Sequence, residues 1–293
     1  MARVLPNELA RHLAELLRRS RRRYRHRLER CQLDFSETAV HELRVETRRA
    51  LALLDLVATL QLTGSPRKAR RTLKRRLDAF DDLRDTQVEL RFLVPWLRQY
   101  PEAREFATHL RDSEQELVTE LRREIRSLKS RRVERMLRAL EKDVLAARGK
   151  TARPPVAYLQ KPLRDAFARV ASLRRQVRRL DTATIHRTRV AFKKFRYLCE
   201  LFQPLMPDTT SRRLRAMHDW QTRMGKIQDV EVLLNTIERA VRRGEVSIES
   251  VKPLHAKLAQ RLVLLVKRFI STAARLDQFQ PQAIDQPPAS GAK

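Results

Sequence analysis

The sequence predicts an all-α fold built from two four-helix halves, and three observations carry that expectation. Glycine occurs only 5 times in 293 residues and aromatics make up 5%, which argues against a β-sandwich or barrel. Apolar residues, 42% of the chain, recur at three- and four-residue spacing between a few breaks, enough for a real core and inconsistent with wholesale disorder. Two blocks of sequence recur in the same order in the two halves.

Helices are expected, in order, at 6–30, 36–62, 66–98, 102–147, 156–180, 182–203, 208–243 and 247–276. Ser36 is placed to cap the second, Pro66 fits a first helical position in the third, and Asp208 can cap the seventh. Proline and glycine punctuate the chain at 64–66, at Pro101 and between Pro204 and Pro207. The strongest break, 149–155, holds Gly149, Pro154 and Pro155 and is read as a linker. It divides the chain into a first half, 1–150, and a second, 151–277. The tail, 278–293, is rich in Gln, Pro and Ala without apolar period and is expected to be disordered.

The repeat supports that division. The segment VHELRVETRR at 40–49 matches IHRTRVAFKK at 185–194, and FDDLRDTQV at 80–88 matches MGKIQDVEV at 224–232. The offsets are 145 positions for His41 and His186 and 144 for Asp85 and Asp229. A duplication with nearly constant offset implies halves related by a pseudo-twofold axis.

Lys and Arg total 64 against 35 Asp and Glu, a formal charge of +29, which points to a polyanionic partner. The two cysteines, Cys31 and Cys199, cannot build a disulfide framework or a Cys-based zinc site. No run reaches the roughly 18 apolar residues of a membrane span, and the first residues lack the apolar stretch of a secretory signal. A cytoplasmic location and no membrane partner are expected.

The charge is organised. In the sixth expected helix Ile185, Thr188, Phe192, Phe195, Cys199 and Phe202 form one stripe, and His186, Arg189, Lys193 and Arg196 follow one position later, about 100° around the helix. The second helix repeats this, with Val40, Leu43, Thr47, Leu51, Leu54 and Ala58 inward and His41, Arg44 and Arg48 on the flank. Arg49 and Lys194 broaden each ridge. Cations about 5 Å apart over two or three turns suit an extended chain of phosphates. Stacked like charges cost a few tenths of a kcal/mol per pair, a cost that a bound anion relieves. In the third and seventh helices Lys68, Arg71 and Lys74 align with Arg212, Arg215 and His218, a weaker signal.

These motifs resemble the CHAD domain (conserved histidine α-helical domain). VHELRVETRR and IHRTRVAFKKFRY, each followed by an Asp-containing LRDTQV or IQDVEV, carry the resemblance, which covers about residues 5–276. It implies two four-helix bundles around a central basic groove or pore that binds inorganic polyphosphate without catalysis or cofactor, and an association with polyphosphate granules. The family's His and basic positions fall on His41, Arg44, Arg48 and Arg49, and on His186, Arg189, Lys193, Lys194 and Arg196. One position departs: Leu51 stands where the family usually has another base, whereas the second half keeps Arg196. The triphosphate-tunnel domain of some relatives has no counterpart here.

Other readings stay open beside this one. Binding to a nucleic-acid backbone fits the charge, although no zinc finger, basic zipper or RNA-stacking motif is present. An enzyme of phosphate chemistry lacks a recognisable nucleophile–base or metal set. His41, His186 and His218 have no partner at metal-ligand spacing, so no metal is expected. Asp85 and Asp229 are read as anchors for an Arg or a helix end, with a catalytic acid or a metal ligand as the sharper alternative. The oligomeric state is open.

Overall fold

Long amphipathic segments rich in Leu, Ala, Arg and Glu dictate helices, and helices are what form. A computed structural model describes residues 4–60, 66–151, 153–178, 181–206 and 209–281. Among the described residues there are ten α-helices: α1 (Asn7–Leu33), α2 (Glu37–Thr59), α3 (Arg67–Asp78), α4 (Asp81–Leu93), α5 (Arg104–Ser127), α6 (Arg131–Ala146), α7 (Pro155–Arg175), α8 (Thr182–Phe202), α9 (Ser211–Arg242) and α10 (Ile248–Thr272). A two-residue parallel pair, β1 (Leu5–Pro6) with β2 (Arg148–Gly149), ties the start of the chain to the end of α6. A Cβ at Gly149 would lie 2.7 Å from Val4 Cγ1, so a larger residue there would push the exposed Val4 side chain aside.

Two expected helices divide. The third breaks at Ala79–Phe80, where Phe80 leaves helical geometry at ψ 1° and buries its ring beside Phe35, centroids 6.5 Å apart. Asp81 and Asp82 then open α4, and acids favour a helix N-terminus. The matching part of α9 carries Gly225 and Lys226 in place of those acids and runs on unbroken. The other break is at Leu128, which turns extended. There Gln32 of α1 donates from Nε2 to the carbonyls of Ile125 and Leu128 at 2.9 and 2.8 Å, satisfying the end of α5.

Capping follows the local sequence. Ser36 accepts from the Ala39 amide at 3.3 Å, as expected. Pro66 sits one residue ahead of the first turn of α3. Thr210 caps α9 by accepting from the Arg213 amide; Asp208, expected in that role, lies outside the described residues. Gly244, at φ 69°, closes α9: its amide donates to Val241 and that of Glu245 to Ala240, both at 3.0 Å.

Two apolar cores result. The larger joins α1, α2, α3, α6, α7 and α8 to the first half of α9 and the last turns of α5 and α10. In the smaller, the end of α4 and start of α5 meet the second half of α9 and the start of α10. Each core draws residues from both sides of the 149–155 segment. Phe192 sits centrally, with ring centroids 4.5 Å from Trp220 and 5.7 Å from Phe279, and burying each such ring contributes about 1.5–3 kcal/mol. Phe279 also carries the ordered chain past the expected tail boundary at 278, through a 3-10 turn spanning Ala273–Phe279. The rest of that tail, 282–293, lies outside the described residues.

Candidate anion-binding site

Helices α2 and α8 pack side by side. Their apolar faces fix their rotation. All six expected residues of α8, Ile185, Thr188, Phe192, Phe195, Cys199 and Phe202, are buried. On α2, Val40, Leu43, Thr47 and Leu54 are buried and Leu51 is partly so, but Ala58 is exposed. The stripe shifts to Leu53, Leu56 and Val57 because α2 is covered by α1 and α3 as well as α8.

With those faces turned inward, the cationic flanks converge. Arg48 of α2 lies close enough to Arg189 and Lys193 of α8 to disfavour the charge on both. Lys193 feels burial first, then Arg48, Arg189, Arg196 and Arg44, and its amine is pushed down to about 7. Its Nζ rests 5.8 Å from the centroid of the Tyr197 ring, and the Arg196 guanidinium 5.2 Å from the same centroid. Arg196 is held by Gln221 Oε1 at 3.0 Å and by Glu200. Arg48, Arg189 and Lys193 are only partly exposed, and none has a carboxylate within ion-pair distance among the described residues.

Arg44 and Arg189 occupy equivalent repeat positions but differ. Arg44 is buried, donating to Asp81 Oδ1 at 2.8 Å and to the Leu77 carbonyl at 3.3 Å. At the position matching Asp81 the second half has Gly225, and Arg189 Nε lies 3.8 Å from where a glycine Cβ would stand. Asp85 and Asp229 line the same region. Burial raises both carboxyls: Asp81 adds to the rise at Asp85, and Arg189 is the leading opposing influence at Asp229. Of the three acids 81, 82 and 85, Asp81 serves as an anchor for Arg44.

The two repeated histidines are exposed at the edge of this cluster. His186 Nδ1 pairs with Gln228 Oε1. His41 is held below the usual histidine range by partial burial and then by Arg84, Arg91, Arg48 and Arg44. Arg84 and Gln228 are themselves repeat equivalents, each preceding the repeated Asp. Arg84 and Arg91 of α4, both joined to Glu37, are cations that the sequence reading missed; the block containing LRDTQV is the signal that could have found Arg84.

Other expected residues point elsewhere. Arg49 lines a cleft of about 420 Å³ between α1, α2 and α8, with Arg19, Arg23 and Glu46 on one side and Tyr197 and Glu200 on the other. Lys194 lines a cleft of about 260 Å³ with Asp55 and Asp165, beside α7. Arg71, Lys74, Arg215 and His218 are exposed; Lys74 pairs with Asp78 on its own helix. None of these four has a hydrogen bond or ion pair to the α2–α8 cations among the described residues.

Three comparisons bear on this arrangement. A family model described as CHAD domain matches residues 15–238. The crystal structure of the CHAD domain from the plant Ricinus communis superposes with a TM-score of 0.76 at 17% identity, covering 94% of this chain and 93% of that one. The comparison with curated proteins found no match. Among the described residues no helix is long and apolar enough to cross a membrane.

Proposed function

The chain belongs to the CHAD domain family, and from that premise we propose that it binds inorganic polyphosphate, without turning it over, along a basic groove between α2 and α8. The observation that carries the reading is the trio Arg48, Arg189 and Lys193: cations from both repeats, facing one another with no carboxylate partner within ion-pair distance among the described residues. A protein that gathers like charges in a partly desolvated place stores repulsion that a bound anion releases. Arginine forks match phosphate oxygens in pairs, and the lysine adds a point charge. A polymer suits better than a compact anion, because Arg84, Arg91 and Arg196 extend the charge beyond the trio.

The pseudo-twofold relation follows from the same repeats and brings one cationic flank from each half to the groove. Recruitment to polyphosphate granules would follow from binding alone and requires no catalytic group. The formal charge of +29 also favours a nucleic-acid backbone, which is the rival reading.

Competition separates the two. Labelled long-chain polyphosphate is bound at near-physiological salt and challenged with duplex DNA or RNA at equal phosphate concentration. Polyphosphate retained against at least about a tenfold excess of nucleic acid is the expected result, since specific sites exceed general electrostatic attraction by well over that factor. Displacement at equal concentration would favour the nucleic-acid reading.

A further inference from the structure

The cleft among α1, α2 and α8 lies beside the proposed groove and is built for a different ligand. Its volume, about 420 Å³, falls within the range of small-molecule sites, roughly 300–1,000 Å³. One end is apolar, walled by Leu16, Ala52, Leu53, Leu201 and the Tyr197 ring. A neighbouring cleft of about 410 Å³ shares Arg23, Glu46 and Arg49 with it and continues to Arg27 and His41. The three shared residues therefore stand where an apolar wall gives way to a cationic one.

Glu46 is a carboxylate only 5% exposed that nevertheless lines this open space. Ser20 donates to its Oε1 at 3.1 Å, and its second oxygen has no hydrogen-bond partner among the described residues. Arg19 and Arg27, also in the walls, are tied to Glu15 and Glu42. Arg23 and Arg49 have no carboxylate within ion-pair distance among the described residues. A bare phosphate chain would meet the apolar wall and two carboxylates, Glu46 and Glu200. A nucleoside phosphate supplies each missing counterpart: a flat ring for the wall, hydroxyl donors for the buried carboxylate, and phosphates for the two unpaired guanidiniums.

We propose that this cleft binds a nucleoside phosphate, its base against Tyr197 and the leucines, its sugar hydroxyls donating to Glu46, and its phosphates held by Arg23 and Arg49. The inference rests on the cleft alone and stands whether or not the groove binds polyphosphate. The two sites do share Tyr197, whose ring centroid lies 5.8 Å from Lys193 Nζ and 5.2 Å from the Arg196 guanidinium, so variants must separate them.

ATP is titrated by calorimetry, at near-physiological salt without magnesium, into the parent chain, into Arg48→Gln with Arg189→Gln, and into Arg23→Gln with Arg49→Gln. All four arginines are at least partly exposed, and circular dichroism checks that each chain is folded. The groove pair should keep ATP affinity within about threefold of the parent, and the cleft pair should lose at least about tenfold. In the groove pair, ATP should bind at least about tenfold tighter than inorganic triphosphate, which has no base or sugar. Dideoxy-ATP, lacking both sugar hydroxyls, should bind at least about fivefold weaker than ATP, because it leaves Glu46 without a donor. Absence of ATP binding by the parent, equal losses in the two pairs, or triphosphate or dideoxy-ATP binding as tightly as ATP would each overturn the inference.

Discussion

Arg44 and Arg189 hold the same place in two copies of one motif and do different work. Arg44 is locked to Asp81 and the Leu77 carbonyl, whereas Arg189 lies over Gly225 and feels the charge of Arg48. Replacing Arg44 by Gln is therefore expected to lower stability by about 1–3 kcal/mol, the loss of charge-assisted hydrogen bonds made by a buried guanidinium, with little change in polyphosphate affinity. Arg189→Gln should do the reverse: denaturation midpoint within error of the parent, affinity reduced about tenfold or more. Chemical denaturation and titration of both variants check this. Two titrating groups add a pH signature. The free Lys193 amine gives up its proton through about pH 7, and a bound polyanion favours the charged form. Affinity should thus be full below pH 7 and fall as pH rises above it, with protons taken up on binding, and Lys193→Met should flatten the profile. Glu89, buried and accepting from Thr236 at 2.8 Å, is pushed up to about 7, chiefly by burial. Its contribution to stability is complete below the unfolded value of about 4.3 and is lost as pH rises through 7, so Glu89→Gln should remove that slope from the denaturation profile.

At the scale of helices, what could be read from the sequence was whatever the local chain decides. The Ser36 cap, the buried stripe of α8 and the close of α9 near Arg243 all depend on neighbours within a few residues. The two unexpected breaks depend on residues further away. Gln32 on α1 ends α5, and the burial of Phe80 beside Phe35 divides α3 from α4. Asp81 and Asp82 were visible in the sequence, and their absence from the second repeat was too, but their effect as a helix start needed the buried Phe80. The glycines give a paired test. Gly244→Ala forces a side chain into the left-handed region and should destabilise by about 1 kcal/mol. Gly225→Ala, mid-helix with an ordinary 3.8 Å contact to Arg189, should be neutral or stabilising by up to about 1 kcal/mol. Thermal melting of the two variants, compared side by side, settles their signs.

Across the whole molecule, the repeat made the cationic ridges legible, and the structure supplies what spacing along one helix cannot: which ridge faces which. Arg48 and Lys193 belong to different repeats, yet they act on each other because α2 and α8 pack together. Arg49 and Lys194 follow their ridge neighbours in sequence, but one further residue of rotation sets Arg49 in a separate cleft among α1, α2 and α8 and turns Lys194 toward α7. Arg71 and Arg215, basic in both repeats, remain on exposed surface. Charge gathered between α2 and α8 is thus distinct from charge spread over the exposed surface. Long-chain polyphosphate is titrated into the parent chain, the pair Arg48→Gln with Arg189→Gln, and the charge-matched pair Arg71→Gln with Arg215→Gln. The first pair should lose about a hundredfold in affinity and the second less than about threefold, since exposed cations act only through screened, long-range attraction. Equal losses in the two pairs would contradict the claim that cations from both repeats form one site.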